Sequence, residues 1–366
     1  MERPGRHLTV GLFLSGGGAR GFAHIGVLRV LEREGARYDV IAGTSMGAII
    51  GALYAAGHRP DKIQEITATT TWRDVVDLSL RSGLMKGDRL HDLLEAHLPA
   101  TFEELEIPLA IISTDIESGE EVEHTEGDLI TAVRASAGFP GAFEPVYMDG
   151  RTLGDGGIVN NLPVSAALLM GANRTIASDV TPPRQAIYRS DEGKGIWWER
   201  WVATVKLERR TPMVQMLFRS TDIQQSILVD IRAAIHPADL RIRMDMTQYR
   251  IESFAEFEAI IEEGEKAAER TLSAVGGWRK VLALEEDREP EQVAAAKRAT
   301  GHRTAAQRAS DKRAADKRAA DQKTADRKAA DKKPADQPAA SPAAEEPLSP
   351  LAKVAKLAGS IKRHNQ

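Results

Sequence analysis

Over the first 180 positions, apolar residues come in short runs, each closed by glycine or polar residues. Leu8 to Leu14 (LTVGLFL) is rich in strand formers and runs into Gly16-Gly17-Gly18. Phe22 to Glu34 then places Ile25, Leu28, Val30 and Leu31 on one side of a helix. Val40 to Ala42 predicts a second strand, ended by Gly43. Met46 to Ala56 (MGAIIGALYAA) is apolar almost all round, as a helix buried against a sheet must be. Strand, glycine loop, helix, strand, sharp turn and helix together predict an α/β fold whose central sheet is mainly parallel, with helices on both faces.

Farther along, Leu109 to Ser113 and Thr175 to Val180 read as strands, and Leu240 to Met244 as a late one. Asp61 to Leu98 is mostly helical in pattern, with Gly83 to Gly87 interrupting it and a place over the functional site as its expected role. Residues 196–236 and 253–283 carry further helical periodicity.

From about residue 297 the pattern changes. Residues 311–340 repeat every five positions (DKRAA, DKRAA, DQKTA, DRKAA, DKKPA, DQPAA), a period that gives a helix no single apolar face. This predicts a disordered or loosely helical tether. At the end, Leu348, Leu351, Val354, Leu357, Ala358 and Ile361 recur at helical spacing, opposite Lys353, Lys356, Lys362 and Arg363. That basic amphipathic pattern suits an anionic membrane surface or a partner, and equally a frayed tail. The expected organisation is a catalytic domain over 1–285, a tether over 286–346 and a terminal helix over 347–366.

A net charge of −4 argues against a nucleic-acid binder that relies on a bulk positive field. With no cysteine, disulfides, thiolate catalysis and cysteine-held metals are excluded. No run reaches the roughly 18 apolar residues of a membrane span. The expected location is the cytoplasm, with at most peripheral membrane contact.

Gly16, Gly18 and Gly21 satisfy G-x-G-x-x-G, but the acid of a dinucleotide site should end the second strand, and Asp39 precedes it. Two readings stay open: a nest of backbone N–H groups for an anion or oxyanion, or a plain strand–helix turn. Arg20 would add positive charge there or pair with an acid.

Gly43-Thr44-Ser45-Met46-Gly47 matches G-x-S-x-G between a strand and a helix, the setting in which a turn presents a nucleophilic serine. A serine needs a base. His24, His58 and His236 lack any site signature, whereas Asp155 stands in the glycine-rich stretch Gly154-Asp155-Gly156-Gly157, read as a loop, with Asn160-Asn161-Leu162-Pro163 behind it. Alone, such a stretch is a turn or a site.

Taken together, GGGARG, GTSMG and DGG followed by NNLP resemble the patatin-like phospholipase family, as does Ala135-Ser136-Ala137-Gly138-Phe139-Pro140 ahead of the aspartate. The similarity spans about residues 8–180, weaker to about 275, and leaves out the tail. It implies a three-layer α/β/α fold and a Ser–Asp dyad, with Ser45 as nucleophile and Asp155 as general base. It further implies an oxyanion hole from the Gly17 and Gly18 amides, supported by Gly16 and Arg20, with Gly43 and Gly47 shaping the nucleophile turn. No metal or cofactor is implied. The implied substrate is a lipid or other acyl ester of the phospholipase A or lysophospholipase type. An esterase, thioesterase or acyltransferase shares the same acyl-enzyme, and an idle lipid-binding protein would keep only the fold.

Trp197, Trp198 and Trp201, with Ile196 and Val202 beside Arg200 and Lys206, suit either a headgroup interface or a core or subunit contact. Removing residues 347–366 is expected to lower vesicle binding while leaving turnover of a water-soluble ester unchanged. Vesicle co-sedimentation of the truncated chain checks this, and unchanged binding dismisses the anchor.

Overall fold

Within the first predicted strand, Val10 to Leu14 are all buried, including the consecutive residues Leu12, Phe13 and Leu14, so this strand is covered on both faces. The computed structural model describes residues 9–75, 87–140, 143–183 and 212–282. Along the chain, β1 (Val10–Leu14) leads through a 3-10 turn (Gly18–Phe22) into α1 (Ala23–Arg33), β2 (Val40–Thr44) and α2 (Met46–Ala55). Next come α3 (Pro60–Thr69), α4 (Trp72–Val75), α5 (Asp88–Glu95), β3 (Leu109–Asp115), β4 (Glu121–His124) and α6 (Leu129–Ser136). Then follow β5 (Val146–Met148), β6 (Arg151–Asp155), α7 (Val164–Leu169), β7 (Arg174–Asp179), α8 (Pro212–Ile235), β8 (Leu240–Arg243), α9 (Phe257–Val275) and α10 (Trp278–Leu282).

Among the described residues the sheet has eight strands, of which β3, β2, β1, β7 and β8 run parallel in that order. β4, β5 and β6 are antiparallel additions on the β3 side. Side chains alternate between two cores, as a period of two requires. Leu12, Leu14, Ile41, Ile111 and Ile176 face one core with α1, α2, α3, α6 and α9. Phe13, Val40, Ala42, Ile112 and Ala177 face the other with α7 and Val229 of α8. Helices thus cover both faces, in the expected three layers.

One local pairing positions the site. Ile111 and Ile112 of β3 pair with both β2 and β4, while Ser113 and Thr114 pair with both β4 and β6. A strand has two edges, so β4 holds one, and β2 and β6 share the other end to end. β2 runs up this edge to Thr44 opposite Ile112, and β6 runs down it to Asp155 opposite Ser113. The carboxyl ends of two opposed strands therefore meet.

Several local expectations shift. Asp155 ends a strand instead of sitting in a loop, because Leu153, Gly154 and Asp155 are buried and paired to β3. The first helix starts with a 3-10 turn at Gly18, earlier than the apolar pattern indicates. β2 continues two residues past Ala42, through the glycine expected to close it, because Gly43 and Thr44 still pair with β3. The tryptophan cluster at 197–201, the loop at 83–86 and the whole tail lie outside the described residues. Among the described residues, no helix is long and apolar enough to cross a membrane.

Helices α1 and α9 cross almost backbone to backbone. A Cβ on Gly264 would sit 2.0 Å from the Ala23 carbonyl oxygen. Gly264→Ala must push the helices apart, at a cost of about 1–3 kcal/mol. Thermal unfolding should show Tm lowered by roughly 2–10 °C; an unchanged Tm would contradict the contact.

Candidate active site

Ser45 occupies the junction of β2 and α2 with φ 54° and ψ −123°, a conformation that side chains rarely adopt. Packing enforces it. A Cβ on Gly43 would lie 2.5 Å from the Gly47 carbonyl oxygen, and one on Gly47 would lie 2.3 Å from that of Leu14. Only glycines let the turn approach β1 so closely. The Ser45 N–H donates to Ser136 Oγ at 2.9 Å, which fixes the turn against α6. The Ser45 hydroxyl donates to Asp155 Oδ2, also at 2.9 Å.

Asp155 is 2% exposed. Its N–H donates to the Gly138 carbonyl at 3.0 Å, and the Thr114 hydroxyl donates to its carbonyl at 2.8 Å. Thr44 Oγ1 donates to the Asn160 carbonyl at 2.8 Å, tying the serine strand to the segment after the aspartate. Burial pushes the Asp155 carboxyl up to about 6, against the opposing pull of the Gly157 N–H at 2.7 Å and the Ser45 hydroxyl.

The glycine loop lies against the serine, since a Cβ on Gly16 would come within 3.1 Å of Ser45 Cβ. The Gly16 N–H donates to the Asn161 carbonyl at 3.0 Å, and the Ala19 N–H to the Ile251 carbonyl at 2.8 Å. Between them, the Gly17 and Gly18 amides donate to nothing among the described residues. Gly18 has φ 56°, and a Cβ there would strike the Ile251 carbonyl oxygen at 2.4 Å.

Arg20 does not face the cavity. Its guanidinium makes a bidentate pair with Asp222 of α8 at 2.7 and 3.0 Å, and its Nε donates to the Tyr249 carbonyl at 2.8 Å. Both side chains of this pair are largely buried, so Arg20 ties the loop to α8 and its charge is matched by Asp222, which lines the cavity.

Ser45, Asp155, Gly17 and Gly18 line one cavity. Its remaining wall is mostly apolar, including Met46, Ile49, Leu90 and Phe139, with Trp72 stacked on Phe254 at 5.6 Å. No histidine is among the lining residues.

Residues 12–168 match the family model described as patatin-like phospholipase. Over these residues the chain is similar to that family. An uncharacterized NTE family protein of Mycobacterium tuberculosis is 38% identical over 189 residues, 48% of this chain and 52% of that protein. Patatin-like phospholipase domain-containing protein 6 of Homo sapiens is 30% identical over 314 residues, 80% of this chain but 22% of that protein. The chain thus spans about half the length of the mycobacterial relative and less of the human one. The solved structure of VipD from Legionella pneumophila aligns with a TM-score of 0.40 at 12% identity, covering 81% of this chain and 74% of that one. The fold assignment rests on the strand order and not on that alignment.

In this patatin-like domain the histidines have other work. Buried His24 donates from Nε2 to the Ser15 carbonyl at 2.8 Å and accepts the Ser178 hydroxyl at Nδ1 at 2.7 Å; burial lowers it to about 4. His58 is bonded to the His97 carbonyl. His236 follows the end of α8, eleven residues and so about 16 Å beyond Gln225, the last cavity-lining residue of that helix. Asp39 accepts the Val10 N–H and so anchors the start of β1.

Reading the sequence missed the contributions of Ser136 and Asn161, and of Gln225 on α8. Ser136 and Asn161 stood inside recognised motifs without a role; Gln225 carries no local signal, since only the chain's return across the sheet brings it there.

With the Asp155 carboxyl raised by burial, the native state disfavours its ionised form. That penalty is absent below the unfolded value near 4 and fully felt above about 6. Asp155→Asn removes the charge and should raise Tm at pH 8 by several degrees, with the gap to wild type closing toward pH 4. Melting curves at the two pH values check this. A variant less stable at pH 8 would show that the carboxylate is not strained by its surroundings.

Proposed function

We propose that this protein is a serine acyl hydrolase acting on lipid esters of the phospholipase A or lysophospholipase type, through a Ser45–Asp155 dyad. The observation that carries the reading is the 2.9 Å bond from the Ser45 hydroxyl to a buried carboxylate, in an apolar cavity beside two unengaged glycine amides. The match to the patatin-like phospholipase model and the lysophospholipase name of a relative from Mycosarcoma maydis agree with it.

The steps follow from the atoms. Ser45 Oγ attacks the ester carbonyl while its proton passes to Asp155 Oδ2. The carbonyl oxygen becomes an oxyanion held by the Gly17 and Gly18 amides, each donor worth about 3–4 kcal/mol. Asp155 returns the proton to the departing alcohol, leaving the acyl group on Ser45. Water then attacks that acyl-enzyme, giving its proton to Asp155, and Ser45 leaves with it. A carboxyl near 6 is a stronger base than an ordinary aspartate, which suits proton transfer from a hydroxyl. The apolar wall takes the acyl chain.

Purified wild type, Ser45→Ala and Asp155→Asn should be compared on lysophospholipid, diacyl phospholipid and a short soluble ester. Each variant is expected to lose at least about 10³-fold in turnover. Wild-type kcat/KM should rise with pH through about 6, because the base must be ionised. Retained turnover in either variant, or a profile that falls over this range, would reject the dyad. Activity confined to the short ester would reject the lipid substrate.

A further inference from the structure

Two successive peptide units ahead of the candidate oxyanion amides are pinned from opposite sides. In the Ser15–Gly16 unit, the carbonyl accepts His24 Nε2–H at 2.8 Å while the N–H donates to the Asn161 carbonyl at 3.0 Å. In the Gly16–Gly17 unit, the carbonyl accepts the Asn161 side-chain Nδ2 at 3.2 Å. A trans peptide is planar and its C=O and N–H point in opposite directions. Fixing the Gly16 oxygen toward Asn161 therefore turns the N–H of Gly17, a residue that lines the cavity, the other way.

The carboxamide is well placed to do this. Asn161 is 1% exposed, and its second Nδ2 hydrogen is held by Thr181 Oγ1 at 3.2 Å. A carbonyl oxygen only accepts, so Nδ2 and not Oδ1 must face Gly16. Among the described residues its buried Oδ1 has no hydrogen-bond partner, and it lies next to the loop and to the aspartate's turn: Cβ atoms built on Gly16 and Gly157 would lie 2.5 and 2.8 Å from it. A buried carboxamide that leaves one acceptor unpaired is costly, which is the mark of a side chain kept for its other end.

We infer that Asn161 is a positioning residue for the oxyanion hole: its side chain sets the orientation of the Gly16–Gly17 peptide and thereby aims the Gly17 amide. The inference rests on the hydrolase reading above and adds to it a residue that touches no substrate. It separates Asn161 from Asn160, whose Nδ2 donates away from the cavity to Glu121 at 2.8 Å.

The test uses paired substrates, an acyl ester and its thiono counterpart, in which sulfur replaces the carbonyl oxygen and accepts hydrogen bonds poorly. With an aimed hole, wild type should prefer the oxygen ester strongly. Asn161→Ala and Asn161→Asp should lower kcat on the oxygen ester by about 10–100-fold, less than the roughly 10²–10³-fold of losing an oxyanion donor outright, with KM little changed. Both should lose most of the oxygen-over-sulfur preference. Asn161→Asp keeps the shape of the side chain but presents only acceptors to the Gly16 carbonyl. Thr181→Val, which removes only the second anchor of the carboxamide, should show the same change at smaller size, and it keeps the test available if both Asn161 variants fail to fold. A merely structural role would slow both esters equally. Equal slowing, or unchanged discrimination, in a chain whose turnover still depends on Ser45 would overturn the Asn161 assignment alone. Turnover that survives Ser45→Ala would instead bring down the hydrolase reading beneath it.

Discussion

The meeting of β2 and β6 on one edge of β3 is the constraint from which the rest follows. Because the two strands run in opposite directions, their carboxyl ends converge, and no further chain is needed to bring Ser45 to Asp155. The separation of these residues in sequence is irrelevant to their separation in space, since one strand holds both in register. Two threonine hydroxyls lock the junction, Thr44 to the Asn160 carbonyl and Thr114 to the Asp155 carbonyl. Rigidity at this point keeps the two side chains in hydrogen-bond contact.

The same junction explains the tension between stability and chemistry. Burying a carboxylate between β3 and the glycine turn disfavours its charge, and the Gly157 N–H relieves this only in part. Ser45 holds a rarely occupied backbone conformation, maintained by the Gly43–Gly47 and Gly47–Leu14 contacts. Strain and desolvation thus concentrate where reactivity is wanted, and the surrounding two-sided core, with its α1–α9 crossing, supplies the stability that tolerates them. Arg20 and His24 belong to that support. Both are buried polar groups with hydrogen-bond partners, Arg20 on Asp222 and the Tyr249 carbonyl, and His24 on Ser178 and the Ser15 carbonyl.

Much of this was legible in the sequence, for physical reasons. Strands β1, β2, β3 and β7 are buried on both faces, so they read as apolar runs, and α2 reads as apolar all round for the same reason. The elbow and the glycine loop were legible because close backbone approach demands glycine. β4 and β6 were not. Glu121–His124 is half-buried and largely polar, and Arg151–Asp155 contains one large apolar residue, so neither carries a strand's alternation. Asp155 accordingly looked like a loop residue, although pairing to Ser113 makes it the end of a strand. The parts assembled from distant segments (the Arg20–Asp222 brace, the Asn161 clamp and the Trp72–Phe254 wall) leave no periodic trace, since each joins residues that only the folded sheet brings together.

The most direct measurement is a crystal structure of the protein after reaction with an alkyl phosphonate ester, whose tetrahedral phosphorus mimics the attacked carbonyl. The account predicts phosphorus bonded to Ser45 Oγ, the phosphonyl oxygen within about 2.7–3.1 Å of the Gly17 and Gly18 amides, and the alkyl chain along the apolar wall. An unmodified Ser45, or a phosphonyl oxygen turned away from the glycine loop, would contradict it.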